Sequence, residues 1–179
     1  MLFSLTLFTV LTIIFFYKFF LKGLIPIPGD IITGLYYPWL DYKWGNIVGV
    51  AVKNPLMSDI PSLIYPWRTL VVQLIKQHQW PIWNQYSFSG YPLLGNWQSA
   101  PFSPTNFWYL FFESDTGWSW GIIVQLILAG WLMFLWLKNQ KLSPLASLFG
   151  GFLFAFSGFH LTWLEYNTHL WTSLWLPLF

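Results

Sequence analysis

The chain has 179 residues, 56% of them hydrophobic and 8% charged, with eight Lys and Arg against six Asp and Glu. Soluble domains carry about 25% charged residues, so this composition excludes an ordinary water-soluble domain and reads as an integral membrane protein. A formal net charge of +2 spread over dispersed basic residues argues against a nucleic-acid surface or a polybasic lipid patch. The absence of cysteine excludes disulfides, thiolate metal sites and a Cys nucleophile, and leaves the redox compartment open.

Residues 1–22, MLFSLTLFTVLTIIFFYKFFLK, are apolar up to Leu21 except at Lys18. They have no basic leader and no small-residue cleavage site, so they read as a retained signal anchor and first transmembrane helix. Lys18 and Lys22 lie at its far end, where long side chains reach the headgroups.

Residues 23–116 form a Trp-, Tyr- and Pro-rich loop before the next apolar run. Within it, GDIITGLYYPW from Gly29 and SDIPSLIYPW from Ser58 each place an aspartate ahead of Tyr-Pro-Trp. The unequal spacing leaves two readings: an internal repeat, or two segments docking at one interface. Asp30, Asp41 and Asp59 are the acids here. A carboxylate such as Asp59 either caps the Asp-Ile-Pro turn or acts as a general base toward an acceptor hydroxyl, with Asp30 as its competitor.

Pro66 precedes WRTLVVQLIKQH, in which Trp67, Leu70, Val71, Leu74 and Ile75 recur at helical spacing opposite Thr69, Gln73, Lys76 and Gln77. This predicts an amphipathic helix near 67–78, lying in a membrane interface or packed beneath the loop. Arg68 and Lys76 on it either bind a phosphate or pyrophosphate or are solvated surface charges. From Trp80 to Asn106 turn residues interrupt any period, but the aromatic content and low charge predict an ordered segment with aromatic anchors.

The second span covers 117–137 and the third 143–164. The short link between them holds Lys138 and Lys141 and no acid, which places it in the cytoplasm and the 23–116 loop outside. His160 and Glu165 then fall at the outer end of the third span. They join the site or simply reach water at the interface. His78 and His169 lack ligand-like spacing, and no metal motif is present. Residues 168–179 begin a fourth apolar segment about half the length of a span, as expected of the front of a longer polytopic protein.

NPLMSDIPSLIYPWR and the WPIWNQYSFSGYPLLGNWQSAPFSPTNF run after it resemble the YfhO-like bacterial membrane proteins, and the likeness continues through LAG in the second span, SGF in the third and the final WLPL. The resemblance implies an all-α integral membrane protein of the GT-C glycosyltransferase type, sited in the bacterial cytoplasmic membrane. Such an enzyme moves a sugar from a polyprenyl-phosphate-linked donor to a glycan or protein acceptor on the outer face. By position it casts Asp59 as the base, with Asp30 competing. Trp83, Asn84, Gly90, Pro92, Gln98 and Ser99 then fall in the wall and rim of the donor or acceptor site. Gln85 stands where the family motif has proline, a departure touching loop rigidity. No cofactor is assigned, and the need for a divalent ion, the sugar and the acceptor stay open. Two non-enzymatic readings compete: a transporter or flippase subunit for lipid-linked sugars, and a membrane scaffold.

Overall fold

The computed structural model describes residues 1–178 and is helical along most of its length. In chain order come α1 (Leu2–Phe15), α2 (Tyr17–Lys22), α3 (Gly29–Leu35) and α4 (Tyr65–Lys76). A small antiparallel hairpin follows, of β1 (Trp83–Asn84) and β2 (Tyr91–Pro92). The chain continues through α5 (Trp108–Phe111), α6 (Ser114–Asn139), α7 (Pro144–Ala155), α8 (Gly158–Trp163) and α9 (His169–Ser173). Two compact units result. One joins residues 1–26 to the chain from Phe107 onward, and the other is the continuous stretch Ile27–Asn106.

In the first unit, α6 runs through 26 residues without proline, with Asp115 in its first turn and Lys138 in its last, charges that complement the helix dipole. A tight link leads to α7, where Pro144 occupies the first turn and the Ser143 hydroxyl accepts the Ala146 N–H (3.2 Å). Ser114–Asn139 and the nearly continuous stretch Pro144–Tyr166 are long and apolar enough to cross a membrane.

Glycines set how closely these helices approach. A β-carbon on Gly151 would stand 2.6 Å from the Gly130 carbonyl oxygen, so the α6 and α7 backbones all but touch there. The Phe8 ring of α1 lies over the same two glycines and is almost fully buried.

Two helices expected to be single are broken. Residues 1–22 divide at Phe16 (φ −95°, ψ 25°), and α1 alone rises only about 21 Å, short of a hydrocarbon core of about 30 Å. Neither Pro nor Gly marks this break. Phe16 turns inward while Phe15 packs edge-on against Phe156 (centroids 5.7 Å), so side-chain packing places it. The second break, at Phe156–Ser157, does have a local cause: Ser157 and Gly158 form the small-residue pair at which helices commonly kink, and the Ser157 hydroxyl caps α8. Beyond it, α9 is a single short helix followed by the 3-10 turn Leu176–Leu178. Phe179 lies outside the described residues.

The second unit is built around Ile31, Ile60, Ile64, Val71 and Leu93, all essentially inaccessible to solvent. Here α3 packs on the 3-10 run Trp39–Gly45 and on the π-helical turn Ile60–Ile64, which leads directly into α4. Gly34 is required on α3, since a β-carbon there would collide with the Val50 carbonyl and the Val52 side chain.

The periodicity of α4 is helical as predicted, but its buried side carries Arg68, Val71 and Val72 rather than the stripe from Trp67 to Ile75. Val71 belongs to both sets, so the inward face is rotated from the predicted one, and α4 packs against its own unit. The two Tyr-Pro-Trp elements also differ. Tyr36 ends α3 in extended conformation and the Tyr37–Pro38 bond is cis, whereas Tyr65, Pro66 and Trp67 form the first turn of α4. They are not two copies of one structural motif.

Candidate functional site

The second unit holds most of the candidate residues. Asp59 immediately precedes the π-helical turn Ile60–Ile64. It is exposed and caps nothing: its carboxylate makes no hydrogen bond or ion pair among the described residues. The turn-cap role is therefore not the one it plays. Asp30 differs. It sits in the first turn of α3, where the helix dipole favours a negative charge, and its Oδ2 accepts the Lys53 backbone N–H at 2.8 Å. That bond ties the 50–53 segment to α3, so Asp30 has a structural task that Asp59 lacks. Asp41 is exposed in the 3-10 run.

Arg68 is not the surface charge that its helix position suggested. It is 2% exposed, on the inward face of α4 with Val71 and Val72, and no part of a solvent-facing phosphate site. Lys76 is exposed in the last turn of the same helix.

The Trp-Asn…Gly-x-Pro…Gln-Ser element folds into a hairpin and a following turn, and several of its polar side chains serve that fold. Asn84 is buried and its Oδ1 accepts the Tyr86 N–H (2.9 Å), shaping the hairpin loop. Gly90 has φ +102°, and a β-carbon there would overlap the Trp83 indole, so glycine is needed for both reasons. Pro92 ends the hairpin opposite Trp83. Ser99 is fully buried, its hydroxyl shared between the Leu93 and Asn96 carbonyls (2.9 and 2.7 Å). Gln98 is exposed, and its backbone N–H donates to Asn96 Oδ1. Asn84 and Ser99 thus position the segment, while Trp83 and Gln98 present side chains outward.

Sequence reasoning missed a groove beside this hairpin. It has a volume of about 370 Å³ and runs between the Leu70–Gln77 side of α4 and residues 79–86. Gln73, Gln77, Gln79 and Gln85 line it together with three exposed aromatic rings, and no lining residue is charged. The available signal was the one-turn spacing of Gln73 and Gln77 on α4 and the Trp-x-x-Trp-x-x-Tyr spacing of 80, 83 and 86.

In the first unit, His160 is 2% exposed and both ring nitrogens are engaged. Its Nδ1–H donates to the Phe154 carbonyl (2.6 Å), since a carbonyl only accepts, and Nε2 lies 3.0 Å from the Ser173 hydroxyl. At the helix break the Phe154 carbonyl accepts the Ser157 N–H (3.3 Å), and the imidazole adds a second bond to the same oxygen. Further buried amides strengthen this end of the unit: Gln125 Nε2 donates to the Leu164 carbonyl, and Asn167 Oδ1 accepts the Trp171 indole N–H. Glu165 lies in the adjoining 3-10 turn, half-buried. His160 is thus a staple across a broken helix.

Among the described residues no three His, Asp or Glu side chains gather to hold a metal ion. The features on hand define a predominantly helical protein with two helices of membrane-spanning length and apolarity, and a separate aromatic-rich unit bearing an unengaged aspartate. No family model, curated protein or solved structure matches the chain.

Proposed function

We propose that the chain inserts in the bacterial cytoplasmic membrane with Ile27–Asn106 outside, and serves in transfer of a sugar from a polyprenyl-phosphate-linked donor to a cell-surface glycan or protein, as a GT-C-type glycosyltransferase. Membrane insertion draws support from the two long apolar helices, and the orientation from Lys138 and Lys141 at their short link. The observation that carries the catalytic part is the contrast between the two aspartates. Asp30 is held by the Lys53 N–H, while Asp59 stands exposed with its carboxylate unengaged, the condition a general base needs before substrate arrives.

In this mechanism Asp59 takes the proton of the acceptor hydroxyl as its oxygen attacks the anomeric carbon. The bond from that carbon to the phosphate oxygen breaks, and polyprenyl phosphate leaves with the electron pair. Neither cation of α4 serves that phosphate: Arg68 is buried, and Lys76 lies 17 residues of helical chain beyond Asp59, on the order of 25 Å at a rise of about 1.5 Å per residue.

The test is transfer of radiolabelled sugar from a polyprenyl-phosphate donor by the full-length protein in proteoliposomes. Asp59→Asn is expected to lower turnover by roughly 10²- to 10⁴-fold, the usual range for a general base, while inserting normally. Undiminished turnover by that variant would remove Asp59 from the reaction.

A further inference from the structure

We infer that the groove between α4 and the hairpin is a binding site for an uncharged sugar unit. Four features of its lining point to that chemistry.

First, the polar groups are primary amides. Gln73, Gln77, Gln79 and Gln85 each offer two N–H donors and a carbonyl acceptor, and none of these side chains makes a hydrogen bond among the described residues. Vicinal hydroxyls on a pyranose ring donate and accept side by side, which matches an amide and mismatches a purely accepting or purely donating group. Second, flat aromatic surface is displayed where solvent reaches it: Trp80, Trp83 and Tyr86 are 70%, 52% and 75% exposed. The electron-rich face of such a ring attracts the C–H bonds on the flat side of a sugar, and here three such rings line one groove.

Third, no charge lines the groove. A phosphate, a carboxylate or a nucleic-acid strand calls for Lys or Arg, and a cation for carboxylates, so those ligands are disfavoured. Fourth, the walls are fixed in advance. Gln73 stands on a regular helix and Gln77 caps its end one turn on, Trp83 is seated over Gly90, and the Asn84 side chain fixes the backbone at Tyr86. Preorganised walls reduce the ordering cost of binding. A volume of about 370 Å³ is at the small end for ligand sites, suited to a compact unit rather than a folded partner.

The groove is distinct from Asp59. Fourteen residues of helical chain separate Asp59 from Gln73, on the order of 20 Å at a rise of about 1.5 Å per residue. A sugar held in the groove is thus a remote unit of a longer glycan and not the one that reacts, and the inference stands on the lining alone, whether or not Asp59 is a base.

The test is equilibrium binding of neutral glucose, galactose and N-acetylglucosamine trisaccharides to the full-length protein without donor, read by tryptophan fluorescence and titration calorimetry. A detergent with no sugar headgroup is used, because a maltoside would compete. Saturable binding of at least one neutral trisaccharide is expected, weakened tenfold or more by Trp83→Ala and by Gln73→Leu. Trp83→Ala can disturb the hairpin, but Gln73 sits exposed on a helix, so Gln73→Leu keeps the fold and tests the contact directly. No saturable binding to the wild-type protein would overturn the inference, as would unchanged affinity in Gln73→Leu. Tighter binding of glucose 6-phosphate than of every neutral probe would overturn the uncharged class. With no donor present, the readout is independent of transfer, so failure here and failure of Asp59 as base are separate outcomes.

Discussion

Replacing Gly151 with alanine tests whether backbone contact sets the α6–α7 distance. The new β-carbon would meet the Gly130 carbonyl oxygen at 2.6 Å and the Phe8 ring at 2.8 Å, against an ordinary contact of 3.4 Å or more. The ring can rotate aside, but the carbonyl belongs to a helix backbone, so the two helices must separate by 0.4 Å (3.0 − 2.6) to escape the clash and by 0.8 Å (3.4 − 2.6) to reach an ordinary contact. Separation loosens the interface along its length, because interhelical packing falls off steeply with distance. Overpacking of this kind costs about 1–3 kcal/mol, which raises the unfolded population roughly 5- to 150-fold. The assay is denaturant unfolding of the full chain in detergent, followed by near-ultraviolet circular dichroism of the tryptophans. Gly158→Ala is the control, since nothing lies within 4 Å of that position, and it should be neutral or stabilising by up to about 1 kcal/mol. Phe8→Ala should not rescue Gly151→Ala, because the carbonyl remains. If Gly151→Ala unfolds like Gly158→Ala, or if Phe8→Ala restores it, then a movable ring and not the backbone sets the spacing, and the reasoning fails.

Two further substitutions separate structural from chemical roles. His160→Ala removes the imidazole bond from the Phe154 carbonyl, which keeps the Ser157 N–H, and should cost about 0.5–1.5 kcal/mol in the same unfolding assay; stability equal to wild type would show the staple to be dispensable. Asp30→Ala removes the acceptor for the Lys53 N–H, and hydrogen exchange at Lys53 should quicken by a few-fold to about tenfold, as befits an exposed bond of roughly 1 kcal/mol. Asp30→Asn keeps an acceptor oxygen and should exchange nearly as wild type, so equal acceleration in both variants would refute a positional role for the carboxylate.

Parts of this architecture are legible in the residues and parts are not. The ends of α6 are written locally, in Asp115 and Lys138 flanking an apolar run, and the start of α7 in Ser143-Pro144. The break at Ser157-Gly158 is likewise visible as a small-residue pair, though the apolar run across it conceals the interruption. The break at Phe16 is not, because it depends on which aromatic ring packs where. Arg68 shows the same limit: periodicity identifies the helix, but only its tertiary surroundings decide that a cation faces inward with Val71 and Val72. Of the candidate site, the motif residues are easy to find and hard to interpret. Asn84 and Ser99 look like ligand contacts in sequence, yet their polar atoms serve the hairpin and the following turn. Gln73 and Gln77 read as a plain polar helix face until Gly90 lets the hairpin form beside them.

The seating of Phe8 against Gly151 also imposes an order on biosynthesis. The two residues are 143 positions apart (151 − 8), which at about 5–20 residues per second puts roughly 7 to 30 s of translation between Phe8 and Gly151. For most of that interval, until α6 brings Gly130 against Phe8, the first helix has no partner helix to close upon. The continuous stretch Ile27–Asn106 has no such wait, because every residue of that unit is made before α6 begins. The ribosome therefore delivers the groove-bearing unit complete while the helices that flank it in sequence are still being assembled.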